Sequence, residues 1–448
     1  MTVINKKEPL ILLLGDLVAF YIALWLMLVA RYWSLPEGEL WASHVASFSI
    51  LFVVWVVIFF IAGLYEKHTL ILKSRLSGAI LNAQIANSVI AVIFFYLIPY
   101  FGITPKTNLF INLALSLGLI LLWRLYFFPS FEVKQKENAI LVGMGSEMIE
   151  LEQEVNNNSR YGLQFISSID LTAVGNESFK DEILERMYSE EVSVLVADFR
   201  NEKVEPLLPN LYNLIFSKVK FVDMHKLYED IFDRIPLSLV EYSWFLENIA
   251  GTAQKGYDLL KRTMDLLLAT GLTIVSLMFY PFVYVAIKLE DGGPIFFSQE
   301  RIGQNNKIIR LKKFRSLAVH NSPDGLASDP KPTKVGAFLR KTRIDELPQL
   351  FSVLTGDLSL IGPRPEIPTL VKHYEKEIPY YNIRHIIKPG LSGWAQLYQA
   401  APPKWGMGVD ETRTKLSYDL YYIKNRSGIL DLKIALRTIK TLLSREGV

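Results

Sequence analysis

Four long apolar stretches crowd the first 130 residues, at Leu10 to Ala30, Ala46 to Leu64, Ala79 to Phe101 and Leu109 to Phe128. At 1.5 Å of rise per residue, each is long enough as a helix to cross roughly 30 Å of hydrocarbon. A lipid interior satisfies no backbone N–H or C=O, so such stretches can only be helices. The first runs too long for a cleavable leader and lacks a small-residue cleavage site, so it is expected to stay in the mature protein. Lys6 and Lys7 precede the first stretch, Lys67, Lys73 and Arg75 fill the second loop, and Lys134 and Lys136 follow the fourth. The other two loops carry only Arg31 and Lys106. This bias puts both ends of the bundle in the cytoplasm, with Arg124 snorkelling to that side from the end of the fourth helix. Asp16 is the polar exception inside the first, read as a helix–helix hydrogen bond within the bundle.

From Lys134 to about Ala250 the pattern changes to short apolar runs alternating with helical segments: NAILVG, SEMIELEQEV, LQFISSI, FKDEILERMY, VSVLVAD, a helix near Leu207 to Phe216, and VKFVD. That is β-α-β logic and implies a small parallel sheet. Its first turn, VGMGSEM, has Gly143 and Gly145 of a dinucleotide fingerprint but Met148 at the third glycine position, so a structural or oligomerisation module is the expected role. Leu266 to Ile287 is a fifth run of membrane length. Lys255, Lys261 and Arg262 precede it and Lys288, Arg301, Lys307 and Arg310 follow, so both flanks prefer the cytoplasm. Pro281 breaks a helix there, and a re-entrant helix-break-helix that dips into the inner leaflet is expected. An ordinary span and a buried core helix are the other readings.

Residues 291–448 are rich in cations, gathered as LKKFRSL, LRKTRIDELPQL, GDLSLIGPRPE and KPGLSGWAQ. Leu347, Leu350, Phe351 and Leu354 recur at helical spacing, so Asp345 and Glu346 are expected at the start of one amphipathic helix ending near Gly356. An Asp-Glu pair there is ordinarily a cap on the helix dipole, and a surface carboxylate in that position is worth only about 1 kcal/mol. Beside cations from three loops and a membrane anchor, the pair also suits phosphoryl transfer between one soluble and one lipid substrate. One carboxylate attacks phosphorus while the other holds Mg2+, and the cations collect phosphate and keep the acids ionised. The absence of cysteine excludes thiolate nucleophiles and Cys-based metal sites.

KRTMD, FFSQERIGQ, KKFRS, RKTRIDELPQLFSVLTGDLSLIGPRPE, IKPGLSGWAQ and YDLYYIKNRSGILDLKI follow one another in an order that resembles the bacterial sugar transferases, the polyprenyl-phosphate hexose-1-phosphate transferase family. The resemblance covers about Gly256 to Val448, and the earlier part resembles the long-form members. It implies transfer of a sugar 1-phosphate from a UDP-sugar to undecaprenyl phosphate, release of UMP, and an aspartyl phosphosugar intermediate, as the first step of exopolysaccharide or O-antigen synthesis. By that resemblance Asp345 is the nucleophile and Glu346 the carboxylate at Mg2+. Arg340, Arg364, Lys313 and Arg315 are the phosphate-binding positions it implies, and Asp419 is a further functional position. Pro281 is the helix-breaking proline, preceded here by Tyr280 where many members have Ser, and Lys388 stands where Arg is frequent. The variable stretch Tyr398 to Glu411 is a candidate for sugar choice.

The fold expected is therefore a membrane protein, α plus α/β: a four-helix transmembrane bundle over 1–133, a Rossmann-like module over 134–255, a re-entrant helix over 256–290 and a compact mixed α/β catalytic domain over 291–448. The expected location is the cytoplasmic face of the bacterial inner membrane, among its lipids, as a homodimer with no nucleic-acid partner. A membrane-anchored nucleotide-sugar dehydratase or epimerase is the rival enzyme, and needs an intact glycine fingerprint and a Tyr-x-x-x-Lys pair. Only Tyr257 and Lys261 have that spacing in a tempting position, far from any nucleotide pocket. A non-catalytic scaffold of polysaccharide assembly is the other rival, and predicts an expendable Asp345.

Overall fold

The computed structural model describes residues 8–65, 73–97, 105–128, 136–158, 161–172, 192–213, 216, 219–249, 254–318, 332–399 and 408–444. The chain divides into two compact units, Met1–Leu227 and Tyr228–Val448. In the first, helices α1 (Glu8–Tyr32), α2 (Gly38–Ile61), α3 (Lys73–Leu97) and α4 (Pro105–Leu122) are long and apolar enough to cross a membrane. Apolar side chains line them all round, as lipid-facing helices require, and Phe20, Phe52, Trp55 and Phe59 interlock at their centre. Asp16 is fully buried and takes more than a helix–helix hydrogen bond. It accepts from Arg124 Nε at 3.0 Å, Arg124 Nη2 at 2.5 Å and the Tyr65 hydroxyl at 2.8 Å. Arg124, in the wide π turn Trp123–Phe127, also donates to the Leu64 carbonyl, so it turns inward rather than snorkelling. A charge with a paired carboxylate at hand loses less by burial than one facing hydrocarbon.

The α/β module of this unit has strands β1 (Glu137–Gly143), β2 (Leu163–Asp170), β3 (Val194–Ala197) and β4 (Lys220–Asp223), all parallel in the order β2-β1-β3-β4. Helix α5 (Gly145–Asn157) starts at Gly145, whose φ of +81° suits glycine, and α6 (Leu208–Asn213) follows a short 3-10 turn. The expected helix FKDEILERMY lies outside the described residues. Met148, at the third fingerprint position, is buried, and a Cβ on Gly143 would lie 2.6 Å from Met224 Sδ. Methionine side chains therefore fill space that the fingerprint keeps open with glycine.

In the second unit, Ile235, Val240, Trp244, Phe245 and Ile249 share a core with Trp394, Leu416, Leu420 and Ile434. The stretch after Leu227, expected to belong to the Rossmann-like module up to 255, packs instead with the C-terminal unit. Here α7 (Lys255–Leu277) and α8 (Tyr280–Asp291) form a pair bent by 51° over Met278 and Phe279. Pro281 sits in the first turn of α8, where its missing N–H costs no helical bond, so the break falls just ahead of it. The bend makes an open V rather than a closed hairpin. Both arms are tied to the same unit. Tyr257 and Lys261 each donate to Asp431 at 2.8 Å, Arg262 donates to the carbonyls of Val353 and Leu354, and Asp265 accepts from Leu360 N–H. On the other arm, Asp291 pairs with Arg315, and Val283 and Ile287 pack on Phe314 and Leu339.

Candidate active site

Strands β5 (Phe296–Ile302) and β6 (Ile308–Phe314) form an antiparallel hairpin in which Phe297 faces Lys313 and Gln299 faces Leu311. Alternation puts Gln299 and Arg301 of one strand on the same face as Leu311 and Lys313 of the other. That face lines a cleft with a cavity of about 40 Å3, closed by Glu346, Gln349, Arg364, Pro365, Gly390 and Leu391. Gly390 and Leu391 belong to β8 (Gly390–Ser392), which runs parallel to β7 (Ser359–Ile361), and Arg364 lies in the loop leaving β7.

Helix α9 (Lys334–Lys341) is capped by Thr333, whose hydroxyl accepts from Gly336 N–H at 2.9 Å. It ends at Arg340 and Lys341, and Arg343 then takes a left-handed conformation with φ of 58°, strained for a long side chain. The turn drives the chain into a 3-10 segment, Ile344–Gln349, followed by helix α10 (Leu350–Thr355), which is capped by Gly356 at φ of +93°. One amphipathic helix was the expectation; Pro348, which lacks an N–H, falls in the 3-10 part and the regular α-helix begins only after it.

This local geometry sends the two carboxylates different ways. Glu346 turns to cations, Arg364 Nη2 at 3.2 Å and Arg343 Nη1 at 3.7 Å. Asp345 turns inward to 6% exposure, and its Oδ1 has no hydrogen-bond partner among the described residues. It is thus no surface cap. Burial first, then the charge of Glu346, pushes its carboxyl up to about 6, against Lys313, Arg340 and Arg343. The nearby cations therefore do not hold this acid at its ordinary value, because desolvation of the carboxylate outweighs them. Burial likewise lowers the Lys313 ammonium, with Asp345 pulling the other way. Lys313 also lies over the Phe297 ring at 5.5 Å.

The structure thus places Glu346, Lys313 and Arg364 on the lining of one cleft, with buried Asp345 close enough to feel the charges of Glu346 and Lys313, and exposed Arg340 close enough to act on Asp345 and Lys313. Arg315 is elsewhere: it is buried in a two-pronged pair with Asp291, one bond of 2.7 Å, that ties β6 to the end of α8. Asp419 is fully buried and pairs with Arg384 at 2.7 Å. Arg384 in turn donates to the Arg364 carbonyl at 3.0 Å, so Asp419 reaches the cleft through the backbone of the GPRPE loop. In the same network Glu366 pairs with Lys415 and, at 3.6 Å, with Arg384. Burial would raise Glu366, but Lys415 and Arg384 outweigh it and hold the carboxyl at about 2.

Arg301 is the cleft cation that the sequence reading passed over. It donates to Gln299 Oε1 at 2.7 Å and to the Pro365 carbonyl at 3.2 Å, bracing the loop that carries Arg364. Its signal was the QNN turn after Ile302, where Asn305 and Asn306 adopt positive φ and close the hairpin that sets its facing. Among the described residues no three His, Asp or Glu side chains stand together as a metal cage. Glu346, the carboxylate that lines the cleft, instead fits Mg2+, which commonly takes one or two carboxylates and completes its shell with water and substrate phosphate.

Residues 256–445 match the family model described as bacterial sugar transferase. Over 198 residues the chain is 45% identical to the UDP-N-acetylgalactosamine-undecaprenyl-phosphate N-acetylgalactosaminephosphotransferase of Aeromonas hydrophila, covering 43% of this chain and 45% of that relative. It is 38% identical over 188 residues to the UDP-glucose:undecaprenyl-phosphate glucose-1-phosphate transferase of Escherichia coli (strain K12), covering 40% and 39%. In both, the match spans less than half the relative's length. The exopolysaccharide production protein PSS of Rhizobium leguminosarum bv. phaseoli is 36% identical over 194 residues, and there the match takes in 96% of the relative and 42% of this chain. The matched segment contains the whole cleft built around Asp345 and Glu346, and the chain belongs to the bacterial sugar transferase family.

Proposed function

We propose that the protein transfers a hexose 1-phosphate from a UDP-sugar to undecaprenyl phosphate at the cytoplasmic face of a bacterial inner membrane, the first step in building a surface polysaccharide. The observation that carries this reading is the buried Asp345 carboxylate, one oxygen unpartnered, beside Lys313, Arg340 and Glu346 in the segment shared with undecaprenyl-phosphate sugar phosphotransferases.

An Asp345 oxygen attacks the phosphorus that bears the sugar, and the bond from that phosphorus to the bridging oxygen breaks. The bridging oxygen keeps the electron pair and leaves as part of UMP. The aspartyl phosphosugar remains. A phosphate oxygen of undecaprenyl phosphate then attacks the same phosphorus, the bond to Asp345 breaks, and the carboxylate is regenerated beside a lipid-linked diphosphate sugar. Lys313, Arg340, Arg364 and Arg301 offset the charge of the phosphates as negative oxygens approach one another. Glu346 would hold Mg2+, which would supply further neutralisation of phosphate charge. The buried setting of Asp345 leaves its oxygen poorly hydrated and therefore more reactive once ionised. The open V of α7 and α8, with both arms bonded to one unit, supports a re-entrant segment that keeps the cleft at the bilayer surface.

UMP release by the full-length protein in nanodiscs tests the reading, with a panel of UDP-sugars, with and without undecaprenyl phosphate, and with Mg2+ or EDTA. Release that needs the lipid, the metal and one particular sugar, and is lost in Asp345→Asn, is expected. Equal release from Asp345→Asn would overturn the aspartyl intermediate.

A further inference from the structure

The C-terminal unit holds a second cavity, about 400 Å3, that shares no lining residue with the cleft at Glu346. Its lining takes Asp258, Lys261, Arg262 and Asp265 from the start of α7, together with Lys388 and Arg426. Two pairs of charges cancel: Asp258 accepts from Arg426 at 3.2 Å, and Lys261 pairs with Asp431. Asp265 accepts only a backbone N–H and keeps its charge. Arg262 keeps its own, because its donors go to two backbone carbonyls, Val353 at 2.7 Å and Leu354 at 2.9 Å, which leave its net charge uncancelled. Lys388 has neither a hydrogen bond nor an ion pair among the described residues.

These two cations converge. A Cβ on Gly356 would lie 3.4 Å from Arg262 Nη2 and 3.6 Å from Lys388 Nζ, so the bare glycine keeps the spot beside both of them open. The rest of the lining is partly apolar, with Ile386, Ile387 and Ile423. The outer face of α7 at this level is apolar and open, with Leu259 71% and Leu267 69% exposed, so on the reading that α7 lies in the membrane the cavity opens at the bilayer surface.

We propose that this cavity binds the headgroup of an anionic membrane phospholipid, the phosphate between Arg262 and Lys388 and the glycerol and first acyl carbons along Ile386, Ile387 and Ile423. Arg262 and Lys388 outnumber the one uncancelled carboxylate, Asp265, and two converging cations beside an apolar wall suit an amphiphilic phosphate, whereas free phosphate has no use for the wall.

The test uses the full-length protein in phosphatidylcholine nanodiscs doped with phosphatidylglycerol carrying a photoreactive group near its glycerol, with adducts mapped to peptides by mass spectrometry. Adducts are expected on the peptides bearing Ile386 to Lys388 and Lys261 to Arg262. They should fall about tenfold in Lys388→Glu, less in Lys388→Gln, and persist in Lys388→Arg. Lys388→Gln keeps the test decisive if charge reversal disturbs folding. Millimolar inorganic phosphate should leave the adducts unchanged. Undiminished adducts in folded Lys388→Gln or Lys388→Glu, equal labelling by an equivalent phosphatidylcholine, or displacement by inorganic phosphate or by undecaprenyl phosphate would each overturn the proposal.

Discussion

Burial first, then the charge of Glu346, raises the Asp345 carboxyl to about 6 against Lys313, Arg340 and Arg343, which links its chemistry to its effect on stability. On the proposed mechanism only the ionised form attacks phosphorus, so UMP release is expected to fall below pH 6, approaching about tenfold per unit. The stability effect has the opposite sense. A carboxyl whose folded value lies above its unfolded value of 3.8 favours the fold when protonated, and that contribution is lost as pH rises from about 4 through about 6. At neutral pH the charge is a burden, so Asp345→Asn should melt no lower than the parent, and higher by a gain on the order of 1 kcal/mol, while releasing no UMP. A variant that melts well below the parent would mean that the carboxylate supports the fold. The adjacency of Asp345 and Glu346 was legible in the sequence; their opposite facings were not, because these follow from left-handed Arg343 and a 3-10 turn in place of an α turn.

At the scale of elements, strand β6 separates two basic residues that the sequence reading grouped together. Lys313 faces the cleft from β6, while Arg315, just beyond its end, is buried against Asp291 and fastens the strand to α8. A run such as KKFRS declares its charge but not its facings, since these depend on where the strand ends and what packs beside it. Arg315→Ala would leave Asp291 without its partner and is expected to cost about 2–3 kcal/mol of stability, read as a lower melting temperature of the purified protein. Lys313→Ala should leave that temperature nearly unchanged and lower kcat/KM by about tenfold or more. The opposite pattern, with Arg315→Ala stable and inactive, would return Arg315 to the phosphate-binding group. Pro281 was visible as a break, but only the structure shows that the helix resumes at it, whereas the break at Pro348 was hidden inside an apparently continuous helical spacing.

For the whole molecule, the bilayer made the first 130 residues the easiest part to read, because length and apolarity alone define a crossing helix. The partner of Asp16 was beyond that reading, since Arg124 lies 108 positions away and only packing joins them. The order β2-β1-β3-β4 was equally hidden, because the alternation that reveals a parallel sheet does not say on which side each crossover lands. The fifth apolar segment is where topology decides function, since on the proposed reading the cleft meets both a soluble nucleotide sugar and a lipid. The chain has no cysteine, so single cysteines can be introduced without background. Thr263 and Leu289 are exposed on the two flanks and Met278 is exposed at the bend. A membrane-impermeant thiol reagent applied to inside-out vesicles is expected to label both flank positions and neither when applied from the other side, with Met278→Cys protected from both by lipid. Both flanks are bonded to one unit, through Arg262 on one arm and Asp291 on the other, and a domain cannot lie on two sides of a bilayer. Labelling of Thr263→Cys and Leu289→Cys from opposite sides would therefore reject both the re-entrant segment and the contacts that hold its arms.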